Sequence, residues 1–166
     1  YWLAKMIKAG EDPRFILRRL LILAGEDIGL ADPQALVVAS AAANAYEYVG
    51  LPEGIFPIVE ATLYCATAPK SNAVLKAYAG ARKDVVERGP LPVPNKLRNA
   101  PTKLMKELGY GRAYRYAHDE PEAYAAGETY FPEEMTPRRY YQPVPRGLEQ
   151  KIVEKLAHLR ELDRQH

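Results

Sequence analysis

The chain has 166 residues, a formal net charge of +2, 48% hydrophobic residues and one cysteine. This length allows one domain with a real core, burying about 70% of the surface that its unfolded chain would expose. The near balance of charge excludes a protein that holds polyanions by overall charge alone. The lone Cys65 excludes an intramolecular disulfide and fits a reducing cytoplasm.

The chain opens on Tyr1-Trp2-Leu3-Ala4-Lys5-Met6-Ile7, already an amphipathic helical pattern, with no initiator methionine and no cap. That start predicts a fragment whose beginning lies upstream. Asp12-Pro13 and Asp32-Pro33 each place a carboxylate at an N-cap and a proline at the first helical position. The carboxylate accepts from free amides, and proline has no amide to leave unpaired. After Asp12, the residues Phe15, Ile16, Leu20 and Leu23 have helical spacing. After Asp32 come Leu36, Val37, Ala39, Ala43 and Tyr46, with Gly50 as the C-cap. Small residues dominate this helix, so neighbours can approach it closely. Further helices are predicted over 52–68 and over 71–88, the latter closed by Gly89 and Pro90. The longest apolar runs, such as 35–45, are too short and alanine-rich to cross a bilayer.

Composition then shifts. Nine of the 14 prolines lie from Pro90 onward, and seven of the 12 tyrosines lie from Tyr110 onward. Leu91-Pro92-Val93-Pro94 must be extended, because each proline excludes its predecessor from the helical region. Asn99 is predicted to cap a short helix reaching Leu108, with Gly109 as its stop. Residues 110–145 have little periodicity, which marks a functional segment or one wrapped on a surface. The tyrosines favour wrapping, since they supply apolar area that a disordered tail lacks. A last helix over 147–163 carries Leu148, Ile152, Leu156, Leu159 and Leu162 on one face. No strand and no solenoid repeat is predicted.

Catalytic constellations are missing. Lys70-Ser71 has the final dipeptide of a Walker loop but no glycines before it, and reads as a helix start capped by Ser71. Gly109-Tyr110-Gly111 follows a helix where a dinucleotide site would need a strand. His118-Asp119-Glu120 offers three ligand types, but adjacent residues rarely point at one ion and no second cluster completes a site. His158 lies on a mixed helix face, and His166 is terminal. Cys65 reads as a buried structural thiol with no activating base. No catalytic, cofactor-binding or metal-binding residue is assigned.

Charge asymmetry is the strongest physical signal. Between residues 96 and 116 there are six cations, Lys96, Arg98, Lys103, Lys106, Arg112 and Arg115, against the single acid Glu107, a net of +5. Residues 117–137 hold six acids and no Lys or Arg, a net of −6. Lys96, Arg98, Lys103, Lys106, Arg112, Tyr114, Arg115 and Tyr116 are therefore the candidate contacts to DNA or to another subunit. Cations interleaved with aromatic rings suit stacking on single strands. The acidic block close by would weaken phosphate binding, so pairing between the two blocks, within one chain or with a neighbour, is the preferred reading.

The stretch Arg98-Asn99-Ala100-Pro101-Thr102-Lys103-Leu104-Met105-Lys106-Glu107-Leu108-Gly109-Tyr110-Gly111 closely resembles a known family. Further matches lie at Tyr114-Arg115-Tyr116-Ala117-His118-Asp119-Glu120, Tyr124-Ala125-Ala126-Gly127, Arg139-Tyr140-Tyr141, Gly25-Glu26-Asp27-Ile28-Gly29-Leu30-Ala31-Asp32-Pro33 and Ala68-Pro69-Lys70-Ser71-Asn72-Ala73-Val74. Together they resemble the C-terminal region of the replication-associated recombination protein A (RarA/MgsA) family of bacterial AAA+ ATPases. Werner-helicase-interacting protein is the eukaryotic relative. Gly25 departs from the pattern, which has serine there.

The resemblance implies a clamp-loader-like ATPase core upstream. ATP and magnesium would bind there, and no cofactor is expected in this fragment. It implies an all-α oligomerisation domain, bundle-like, assembling into a homotetramer. The full protein would act in the cytoplasm, at stalled or damaged replication forks, with DNA and replication proteins such as single-stranded-DNA-binding protein as partners and no membrane. Residues 1–166 are read as one such domain: a helical body over 1–89, a short helix and extended arm over 90–146, and a terminal helix over 147–163. Two alternatives remain: a direct single-strand DNA-binding module, and a small hydrolase using His118 with Asp119.

Overall fold

A computed structural model describes residues 1–166, and every regular element in it is helical. The helices are α1 (Trp2–Lys8), α2 (Pro13–Leu23), α3 (Gln34–Val49), α4 (Ile55–Thr67), α5 (Ala73–Arg88), α6 (Lys103–Glu107) and α7 (Glu149–Gln165). No helix is long and apolar enough to cross a membrane. The chain forms two compact units. One is Tyr1–Ala79 with Tyr141–Val153, and the other is Gly80–Tyr140 with Glu154–His166.

Local chemistry places the helix starts. Asp12 Oδ1 accepts from Arg14 N at 2.9 Å, with Pro13 in the first turn. Asp32 Oδ1 accepts from Gln34 N at 3.1 Å, and its Oδ2 accepts from the Tyr64 hydroxyl at 2.9 Å. Ser71 Oγ accepts from Ala73 N at 3.3 Å at the head of α5. Three boundaries differ from the sequence reading. α6 is capped by Thr102, whose Oγ1 accepts from Met105 N at 3.3 Å, and not by Asn99. Pro101 is the reason, since it bars Ala100 from helical angles. α4 begins at Ile55 because residues 51–54 make a turn after Gly50. α7 begins at Glu149 because Gly147 has φ +55°, outside the helical region.

The first unit holds the core. Ile16, Leu17 and Leu20 from α2 meet Ala24 and Ile28 of a wide helical turn. Ala35, Ala39 and Ala42 of α3 face Ile58, Ala61 and Cys65 of α4. Small side chains across such a contact let helix axes approach closely, toward the short end of the roughly 8–10 Å usual for packed helices. Leu17 occupies a core position where Phe15 was expected, and Phe15 is 45% exposed. Leu36 and Val37, also expected inside, are exposed. α3 thus buries Ala35, Ala39 and Ala42, with Val38 and Tyr46 packed beside them, and leaves Leu36 and Val37 outside.

Gly147 also fixes a close approach in this unit. A Cβ at that position would overlap the Ala31 carbonyl oxygen and lie 2.8 Å from Pro69 Cγ. Leu148 N donates to the same carbonyl at 2.8 Å.

Candidate assembly and nucleic-acid surfaces

α4 carries one charge, Glu60, in thirteen residues. Its inner face is the core set Ile58, Ala61 and Cys65. Its outer face holds Phe56 at 70% exposure, Leu63 at 62%, and Val59 between them. The spacing i, i+3, i+7 makes these one stripe. On α3 the exposed large residues are Leu36, Val37, Tyr48 and Val49. Contiguous exposed apolar area of this kind marks an interaction surface. Sequence reasoning missed it, although the signal was present: a helix apolar all round is ordinarily covered on every side.

The basic stretch lies in the second unit and is divided by its partners. Lys96 Nζ pairs with Glu128 Oε2 and sits 5.8 Å from the Tyr130 ring centroid. Arg98 donates to the Val93 carbonyl at 2.8 Å and to the Tyr110 hydroxyl at 2.9 Å, with its guanidinium 5.0 Å from that ring's centre. Arg115 grips Glu120 with two hydrogen bonds of 2.9 and 2.7 Å and donates to the Ala126 carbonyl at 2.8 Å. This fork geometry is the strong form of the ion pair. The bond from Arg115 holds the Glu120 carboxyl below the usual carboxylate range. Lys103, Lys106, Arg112, Tyr114 and Tyr116 stay exposed. The Tyr116 ring lies 5.1 Å from His118.

Three carboxylates that the sequence reading passed over fasten the irregular segments. In the second unit, Asp84 is 3% exposed. Its Oδ2 accepts from the Tyr140 hydroxyl at 2.8 Å, and its Oδ1 lies 3.1 Å from Arg138 Nη1 in charge contact without hydrogen-bond alignment. Asp163 accepts from the Tyr124 hydroxyl at 2.9 Å and from Gly127 N at 3.0 Å. In the first unit, Glu149 is fully buried and accepts from the Tyr141 hydroxyl. Each pairs a helix acid with a tyrosine of the arm, so the alternation of tyrosines with distant acids was the available clue.

His118 and Asp119, the pair of the hydrolase reading, are both exposed, and no hydrogen bond joins their side chains. Glu120 is committed to Arg115, and the nearest chemistry to His158 is Glu122 at 2.8 Å. Burial pushes the Cys65 thiol up, away from a reactive thiolate. No group of three or more His, Cys, Asp or Glu side chains could share a metal ion.

Residues 1–160 match the family described as MgsA AAA+ ATPase C terminal. The chain belongs to this family. As an MgsA C-terminal chain it is 57% identical over 163 residues to replication-associated recombination protein A of Escherichia coli (strain K12), covering 98% of this chain and 36% of that protein. It is 52% identical over 166 residues to the Coxiella burnetii protein of the same name, covering 100% of this chain and 38% of that one. To the ATPase WRNIP1 of Dictyostelium discoideum it is 40% identical over 142 residues, 86% of this chain and 16% of that protein. The chain therefore spans little more than a third of the length of the bacterial relatives.

In this MgsA C-terminal chain, Lys70 and Ser71 do not fit a nucleotide. The Lys70 ammonium donates to the carbonyls of Cys65 at 2.8 Å and of Ala68, closing the end of α4. Ser71 is buried and spends its hydroxyl at the head of α5. Neither side chain is free to hold a phosphate or its magnesium ion.

Proposed function

We propose that this chain is the C-terminal assembly domain of a AAA+ ATPase acting in replication-associated recombination, and that its copies meet through the outer faces of α3 and α4 to form a tetramer. The carrying observation is the exposed stripe Phe56, Val59 and Leu63 opposite the buried stripe Ile58, Ala61 and Cys65. Obligate subunit interfaces resemble a domain core cut in half, and these helices have that character on two sides. Family membership supports the ATPase context, as do the names of the relatives. ATP and magnesium belong to a module outside the matched third, which also carries hydrolysis. A closed symmetric assembly would hold several such modules around one DNA or one replication-protein partner, raising their effective concentration at a cytoplasmic replication fork.

Charge placed on the stripe tests this reading. Phe56→Glu with Leu63→Glu should convert the assembly to monomer without loss of helical signal in circular dichroism. Unchanged sedimentation of the double variant would reject α4 as the contact.

A further inference from the structure

We propose that α6 and the turn after it form a binding surface for single-stranded nucleic acid, distinct from the apolar face that joins copies. The internal pairing decides which cations take part. Glu128 neutralises Lys96, Glu120 neutralises Arg115, and Arg98 is spent on Val93 and Tyr110. The acidic block thus cancels the inner cations. It leaves the outer ones alone: Lys106 and Arg112 pair with no acid, and Lys103 reaches Glu107 only at 3.9 Å with 92% of its side chain exposed. Glu122, a further acid of that block, is taken by His158.

Aromatic faces lie next in the chain. Tyr114 is 53% and Tyr116 54% exposed, and in the chain they flank Arg115, which is held by its fork on Glu120. Leu104 and Leu108 of α6 add exposed apolar area at 64% and 55%. The turn between the cations and the rings is built from left-handed residues: Gly109 at φ +80°, Gly111 at +69° and Ala113 at +62°. Alanine takes that conformation only at a cost, so its neighbours must hold it there. Gly111 N donates to the Asn95 carbonyl at 2.9 Å and ties the turn down. Unpaired cations within a few residues of exposed rings, joined by a fixed turn, match the chemistry of a strand whose phosphates meet Lys and Arg while its bases stack on tyrosine. Stacking is indifferent to base identity, so recognition should not depend on sequence.

Fluorescence anisotropy of a labelled oligothymidylate of about 16 nucleotides, titrated with the 166-residue chain over a salt series, tests the proposal. Binding should be measurable at low salt. Replacing Lys103, Lys106 and Arg112 together by Gln should reduce the slope of log affinity against log salt by about 2. Tyr114→Ala should weaken binding about tenfold, and Tyr114→Phe should restore it, because the ring does the stacking. Melting curves of each variant should match the parent, since Lys106 and Arg112 have no ion-pair partner and the Lys103–Glu107 contact is long and exposed. The same losses in the Phe56→Glu, Leu63→Glu background would separate this surface from the assembly face. Absent binding at low salt, or an unchanged slope in the triple Gln variant, would overturn the proposal. So would equal competition by polyglutamate, which would show a surface reading negative charge alone.

Discussion

The Tyr141 hydroxyl donates to Glu149 Oε1 at 2.7 Å, and Glu149 is fully buried. Val144 N donates to the other carboxylate oxygen at 3.0 Å. One side chain therefore closes the loop between the end of the tyrosine-rich segment and the head of α7. Burial alone would push the Glu149 carboxyl up. Hydrogen bonds from Ser71, Val144 and Tyr141, with the charge of Arg146, outweigh it and hold the group below the usual carboxylate range.

Acid should loosen the fold through this group. A carboxyl depressed in the folded state contributes stability that is full above its unfolded value of about 4.3 and is lost as pH falls through the folded one. Glu120, held low by Arg115, adds in the same direction. Melting temperatures measured from pH 6 down to pH 3 should fall, most steeply below about pH 4. Glu149→Gln should cost about 2 kcal/mol at neutral pH and flatten that dependence. An equally steep profile in the variant would count against Glu149 as a source.

Gly147→Ala should be among the most destabilising single-methyl additions in the chain. Its φ of +55° disfavours any side chain, and the added carbon would meet the Ala31 carbonyl. Strain and displaced backbone together should cost about 3 kcal/mol. For a chain of this size that lowers the melting temperature by roughly 6–12 °C. Calorimetry would check it, and a parent-like transition would contradict the close approach of Gly147 to Ala31.

Asp84→Ala should release the segment around Arg138 and Tyr140. The Tyr140 hydroxyl loses its acceptor, and Arg138 loses its counter-charge. The expected cost is about 2 kcal/mol. Limited trypsinolysis should show faster cleavage after Arg138 and Arg139, which are exposed and lie on this strap. Tyr140→Phe should show a smaller increase. Unaltered cleavage in Asp84→Ala would mean that other contacts hold the strap.

Cys65 should ignore thiol reagents in the native chain. It is 1% exposed, and burial raises its thiol above the ordinary value. Its rate of labelling by a maleimide should rise only along the urea unfolding transition. Rapid labelling without denaturant would show that α3 and α4 part locally.

Elements whose signals are local were legible in the sequence. Asp12-Pro13, Asp32-Pro33 and Gly50 punctuate helices because caps act through neighbouring amides, and the all-helical fold follows from them. Pro101 is legible too: it disfavours helical angles at Ala100, which moves the cap from Asn99 to Thr102. Which face of α3 is buried was not legible, since alanine and leucine both suit a core, and only the close partner α4 selects Ala35, Ala39 and Ala42. Within the basic stretch, spacing alone could not separate Lys96 and Arg115 from Lys106 and Arg112. The separating acids, Glu128 and Glu120, depend on how residues 110–130 turn back.

Light scattering of the unmodified chain at high micromolar concentration, set beside the Phe56→Glu, Leu63→Glu variant, tests the assembly claim most directly. Tetramers should give a mass four times the 18.6 kDa of one chain, and the variant should give 18.6 kDa. A monomeric mass for the unmodified chain would contradict it.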